Sequence, residues 1–189
     1  MSILPTRIDM ITLLCGQHRG TDQLLVRLDG NRIAGAEEAE RTARRVVIDL
    51  LQNAKAKQVH LNPLVRSELP NGDALADRQI AQLDEAEVVM KELEKLSPGD
   101  AEWQPTVHRL AVLVRGHVQE LERVVLPALM ARLSSARLLE IGTKMRVTEA
   151  TAPTRPHPAS PSEGTAAALA GAGAGLVDRV RDTVTGRGR

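Results

Sequence analysis

The sequence predicts an all-α protein: an antiparallel up-down four-helix bundle, then a short fifth helix and a flexible C-terminal tail. Three observations predict it. Four long segments repeat apolar residues at spacings of three and four, the period of a helix with one buried face. The breaks between them are short and built from Gly, Asn, Pro and Asp, which joins helices antiparallel. Among 189 residues, 42% are hydrophobic, yet Trp103 is the only aromatic. A core of Leu, Val, Ile, Ala and Met suits helix-on-helix packing better than a sheet, which recruits aromatics.

The first helix is expected over residues 7–29, on the stripe Ile8, Ile11, Leu14, His18, Asp22, Leu25 and Leu28, and stops at Gly30-Asn31. The second starts near residue 36, with Glu37 and Glu38 in its first turn, where the backbone dipole favours anions. Its stripe reads Val46, Leu50, Asn53, Lys57, Leu61, Leu64, and Pro63 should kink it because proline has no N–H to donate. Pro70-Asn71-Gly72 makes a turn, with Asp73 as the N-cap of a third helix over residues 74–96. That helix carries Ile80, Leu83, Met90 and Leu93 on one face and ends at Ser97-Pro98-Gly99-Asp100. The fourth, residues 106–133, runs through Val107, Leu110, Val114, His117, Leu121, Val124 and Ala128, with Pro127 as a second kink. A shorter helix over residues 135–149 packs outside. Residues 1–149 thus form the domain. Residues 150–189 are linker and tail, opening on the proline-rich TAPTRPHPASPSE.

Composition excludes several functions. Lys and Arg number 25 against 24 Asp and Glu, and one tryptophan is no platform for stacking bases, so nucleic acid is not an expected partner. No apolar run reaches the length of a membrane span, so no membrane partner is expected either. The first ten residues lack a basic stretch followed by an apolar one, and Cys15 stands alone, so a cytoplasmic location is expected. No phosphate-binding loop, Ser/His/Asp set or paired-Cys zinc pattern is present.

The segments DMITLLCGQH, ELPNGDALADRQIAQLDEA, HVQELERVVLPAL, TAPTRPHP and GLVDRVRDTVTGRGR resemble the hemerythrin-like (HHE cation-binding) proteins of actinobacteria. The resemblance implies a bundle that holds two non-haem irons, with a histidine on the first and third helices and His-x-x-x-Glu on the second and fourth. Carried over residue by residue, most of those ligands are missing. His18 keeps the first-helix histidine; the second-helix positions hold Asn53 and Lys57; the third holds Leu83, with Gln79 one turn before it. On the fourth His117 remains, but its partner four residues on is Leu121. Glu120 and Glu122 flank Leu121 at about 100° to either side on a regular helix.

No cofactor is therefore expected. If any metal binds, His18, Asp22 and His117 are its candidate ligands, and iron is the candidate metal. The alternative is that the two histidines persist as hydrogen-bonded core residues. Lys57 lies on an inward stripe, where it snorkels out, pairs with Asp22, or stays desolvated as an acid–base group. His60, one turn on, either extends the polar stripe or sits at the rim. His108 is expected near the surface, His157 solvated in the linker, and Cys15 as a buried thiol.

Three functions compete. In the first, the emptied core is a small-molecule binding or metal-independent acid–base pocket, with His18, Lys57 and His117 as its working groups and Asp22, Asn53, His60, Leu83 and Leu121 lining it. The second keeps a modified iron site that handles dioxygen, peroxide or nitric oxide. The third is a non-catalytic interaction or stress protein. The first is adopted here. Whether the protein is an enzyme, and its oligomeric state, stay open.

Overall fold

Asp9 sets the start of the bundle. Its carboxylate accepts from the backbone N–H groups of Ile11 and Thr12 at 2.9 and 3.0 Å and from the Thr12 hydroxyl at 2.7 Å, satisfying donors that a helix N-terminus leaves free. From there a computed structural model describes residues 8–152 with Thr154 and Arg155. Most of the expected tail, His157 included, lies outside the described residues. Among the described residues every regular element is helical: α1 Met10–Asp29, α2 Ala36–Ala56, α3 Asn62–Glu68, α4 Gly72–Leu93, α5 Trp103–Glu120, α6 Leu126–Met130 and α7 Ser135–Thr151.

The two expected kinks are widened turns. Lys57–Leu61 joins α2 to α3 as a π-helical turn, and Leu121–Val125 joins α5 to α6 in the same way. Each closes on a bond to the carbonyl five residues back, from Asn62 to Lys57 and from Leu126 to Leu121. In each case the next residue is a proline, Pro63 or Pro127. A proline can neither donate to the carbonyl four residues back nor tolerate it closely, and one wider turn relieves the conflict without breaking the rod. Lys57 and Leu121 head the two turns and so occupy equivalent places on the second and fourth rods.

The α3–α4 turn departs slightly from expectation. Asn71 takes a left-handed conformation at φ 56°, and α4 starts two residues early, at Gly72. Asp73 caps nothing there; it bonds Arg66 at 3.0 Å instead. A Cβ on Gly72 would lie 2.2 Å from the Val65 carbonyl oxygen, so only glycine permits this approach.

Four rods close into a ring: α1 meets α2 and α5, α4 meets α3 and α5, and α7 lies across α1, α2 and the Lys57 turn. Gly142 lets α7 come this close, since its missing Cβ would sit 2.4 Å from the backbone oxygen of Ile8. Ala152 and Thr154, just past α7, are also buried.

Two apolar clusters fill the ring. One gathers Met10, Leu14, Leu61, Leu121, Leu129 and Met145; the other gathers Leu25, Val47, Val89, Trp103, Val107 and Leu110. Each buried leucine adds about 1.5–3 kcal/mol of favourable transfer. Between the clusters every rod places a buried polar side chain. His18 lies between Leu14 and Leu25, Asn53 and Lys57 between Leu51 and Leu61, Gln79 between Ala76 and Ala86, and His117 between Val114 and Leu121. A polar belt thus divides an otherwise apolar core.

Candidate functional site

The belt is tied together by side-chain hydrogen bonds. Lys57, 2% exposed, reaches from the head of its π turn to within 3.0 Å of Nε2 of His117. On the other side of that ring, Nδ1 of His117 lies 3.1 Å from Oε1 of Gln82. The Gln82 amide nitrogen donates to Glu120 at 2.8 Å, so its oxygen must accept, and His117 carries its proton on Nδ1. Nε2 of His117 therefore presents a lone pair to the lysine.

His18 is set in the same way. Its Nδ1 is 2.8 Å from Glu122, which can only accept while ionised. Its Nε2 is fully buried without a partner. Burial and the Lys57 ammonium push His18 down to about 4, against the pull of Glu122, so near neutral pH this contact is a hydrogen bond from a neutral imidazole. His117 is held well below its ordinary range by burial, then by Lys57 and His18. Burial drives Lys57 down to about 7, with the carboxylates of Glu122 and Glu149 opposing. An amine balanced near neutrality therefore sits among two neutral imidazoles whose Nε2 atoms are both proton acceptors.

Glu120 and Glu122 use their divergent directions. Glu120 turns to α4, accepting from Gln79 at 3.1 Å and Gln82 at 2.8 Å and pairing with Arg78 at 2.9 Å. Glu122 turns to α1 and holds His18. These carboxylates act behind the imidazoles, fixing ring orientation and tautomer, as carboxylates do around histidine ligands.

The expected lining residues are placed variously. Asn53 is buried and donates to Gln17 at 2.7 Å, and Gln17 donates to Glu149 of α7 at 2.9 Å. Leu121 is buried in the cluster beside the belt, the one that also holds Leu14 and Leu61. His60 is half-buried at the rim, 2.7 Å from the hydroxyl of Thr148 under α7. Asp22 does not join the group: Arg115 binds its carboxylate at 2.8 Å, and the Asp22 side chain remains 50% exposed. It pairs with neither Lys57 nor His18, because α5 supplies a nearer and better-solvated cation. Leu83 is half-buried and belongs to neither apolar cluster. The inward face of α4 is turned toward Gln79 and Gln82, because His117 and Glu120 need hydrogen-bond partners that Ile80 and Leu83 cannot supply.

Outside the belt, His108 falls at the surface as the sequence suggests, whereas Cys15 is less buried than expected. His108 is exposed, 2.9 Å from Asp29, and Cys15 is half-buried, its thiol pushed up by burial and then by Glu122. Sequence reasoning missed Gln17, Gln82, Thr148 and Glu149. Only Gln82 left a trace, at helical spacing from Gln79.

Among the described residues, no group of three or more His, Cys, Asp and Glu side chains is arranged to hold a metal ion. No described helix is long and apolar enough to cross a membrane. A family model described as the hemerythrin HHE cation binding domain matches residues 9–129. No curated protein and no solved structure matches the chain.

Proposed function

The chain belongs to the hemerythrin HHE cation-binding domain family, and from that membership we propose that its altered centre is a metal-independent acid–base site for a small carbonyl-bearing molecule. The observation that carries this is the Lys57–His117 contact at 3.0 Å beside the unpartnered Nε2 of His18, all in the buried belt. The residues present do not fit the family's metal pair. Lys57 lies on the lone pair that His117 would give to a metal, and Leu121 brings no carboxylate.

What they fit is a neutral ligand with both a donor and an acceptor. Lys57 supplies N–H groups beyond the one aimed at His117, while Nε2 of His18 and Oε1 of Gln79 are buried acceptors without partners. A carbonyl oxygen takes an N–H from Lys57, and an adjacent N–H or C–H is directed at His18. A free anion suits the site poorly, because it would face those acceptors and the charges of Glu122 and Glu149. With its amine balanced near pH 7, Lys57 is suited to exchanging a proton with such a ligand at neutral pH.

Acetamide and acetate form a matched test pair, alike in shape but differing in donors and charge. Acetamide is expected to raise the melting temperature of the wild-type chain and leave Lys57→Met unmoved, while acetate shifts neither. If neither compound shifts the wild-type melt, the belt is a structural network without a ligand, and the interaction-protein reading takes over.

A further inference from the structure

We infer that Lys57 is a built-in cation that takes the metal's place in the bundle and keeps divalent ions out of it. Two of the family's ligand positions still converge: Lys57, which replaces a carboxylate, and His117, which is retained, come from different rods and meet at 3.0 Å. A divalent ion on His117 would need the Nε2 lone pair at about 2.0–2.2 Å. Lys57 already lies on that atom, so it must be expelled before a metal enters, and its positive charge opposes the entering ion.

The surroundings are those of a cation site. Both imidazoles have their Nδ1 protons committed outward, to Gln82 and Glu122, leaving their Nε2 lone pairs to the centre. Hydrogen bonds of this kind, from the far ring nitrogen to an amide oxygen or a carboxylate, are the ones expected behind metal-bound histidines. Burial works against the charge on Lys57, and the carboxylates of Glu122 and Glu149 oppose that effect. What departs from a metal centre is the set of ligand positions: Lys57 and Leu121 stand where the family has carboxylates, and Asn53 and Leu83 where it has histidines. The lysine answers the charge of the surrounding carboxylates and the lone pair of His117 with one side chain. It also makes the bundle's integrity independent of metal supply. None of this requires the site to turn over a substrate.

Lys57→Glu reverses the substitution. It removes the competing cation and adds an oxygen ligand to His18 and His117, a two-histidine, one-carboxylate set that suits Fe2+, Co2+ or Zn2+. Because a buried glutamate can compromise folding, Lys57→Gln serves as a second variant that removes the charge alone. The full chain is titrated with Co2+ near neutral pH, reading d–d absorption and calorimetric stoichiometry, with circular dichroism to confirm helix. Lys57→Glu is expected to bind one Co2+ per chain at least about a hundredfold tighter than wild type, and Lys57→Gln at least about tenfold tighter. Adding His117→Ala to either variant should remove the gain. Wild-type uptake within about threefold of Lys57→Glu would overturn the inference, as would no gain in either variant while it remains helical and melts cooperatively. The acetamide test is unaffected by these results, so the two readings fail separately.

Discussion

Lys57→Met deletes a charge that the core does not solvate, and its effect on stability can be worked out with its pH dependence. The side chain is 2% exposed, and burial carries its amine from 10.5 down to about 7. At about 1.4 kcal/mol per pH unit, holding the charged form in the fold costs roughly 5 kcal/mol below pH 7. Methionine removes that cost but leaves Nε2 of His117 without its donor, a loss of about 1–3 kcal/mol. The variant should therefore be the more stable protein below pH 7, by roughly 2–4 kcal/mol.

The sign then changes with pH. Between about 7 and 10.5 the unfolded chain still holds the lysine proton while the folded chain has released it. More protons are bound in the unfolded state, so wild-type stability rises through that window. Lys57→Met lacks this rise. The two curves converge as pH climbs and cross below 10.5, after which only the missing hydrogen bond separates them and wild type is the more stable. Urea denaturation of both proteins across this range measures the difference directly. Parallel curves would refute the reasoning, because they would mean that Lys57 titrates alike in both states and is solvated in the fold.

Two further substitutions probe the frame around the lysine. Glu122→Gln removes the first of the two carboxylates that oppose burial, so the pH-dependent rise in stability should begin below 7; an onset that stays at 7 would leave Glu149 as the sole counter-charge. The glutamine oxygen still accepts from Nδ1 of His18, so nitrogen NMR should show the same imidazole tautomer as in wild type. Gly142→Ala places a methyl 2.4 Å from the Ile8 oxygen and 2.7 Å from backbone atoms of Asp9 and Met10. None of these can swing aside, so α7 must move outward at a cost of about 1–3 kcal/mol. Faster amide exchange along α7 should accompany the loss, since its contacts through Thr148 and Glu149 loosen together. An unchanged melt would mean that α7 docks more loosely than the packing around Gly142 implies.

The sequence by itself determined the helices and the loss of ligands. Periodicity, breakers and prolines act within a few residues, so the rods, their turns and the positions of both kinks could be read directly. The identities at 53, 57, 83 and 121 already spoke against the family's metal pair. Only the tertiary structure decided which polar groups meet. Apolar spacing orients a helix to within about one residue, or 100°, and on α4 that margin separates Leu83 from Gln82. Asp22, placed inward by the same spacing, is drawn to the surface by an arginine two residues before His117. Glu149 reaches the belt from a fifth helix whose docking depends on a glycine 133 residues after Asp9, a contact that no local pattern encodes. A buried hydrogen-bond network is a property of several helices at once, because each donor chooses among acceptors on neighbouring rods. The rotation and register that settle this choice come from packing the whole bundle.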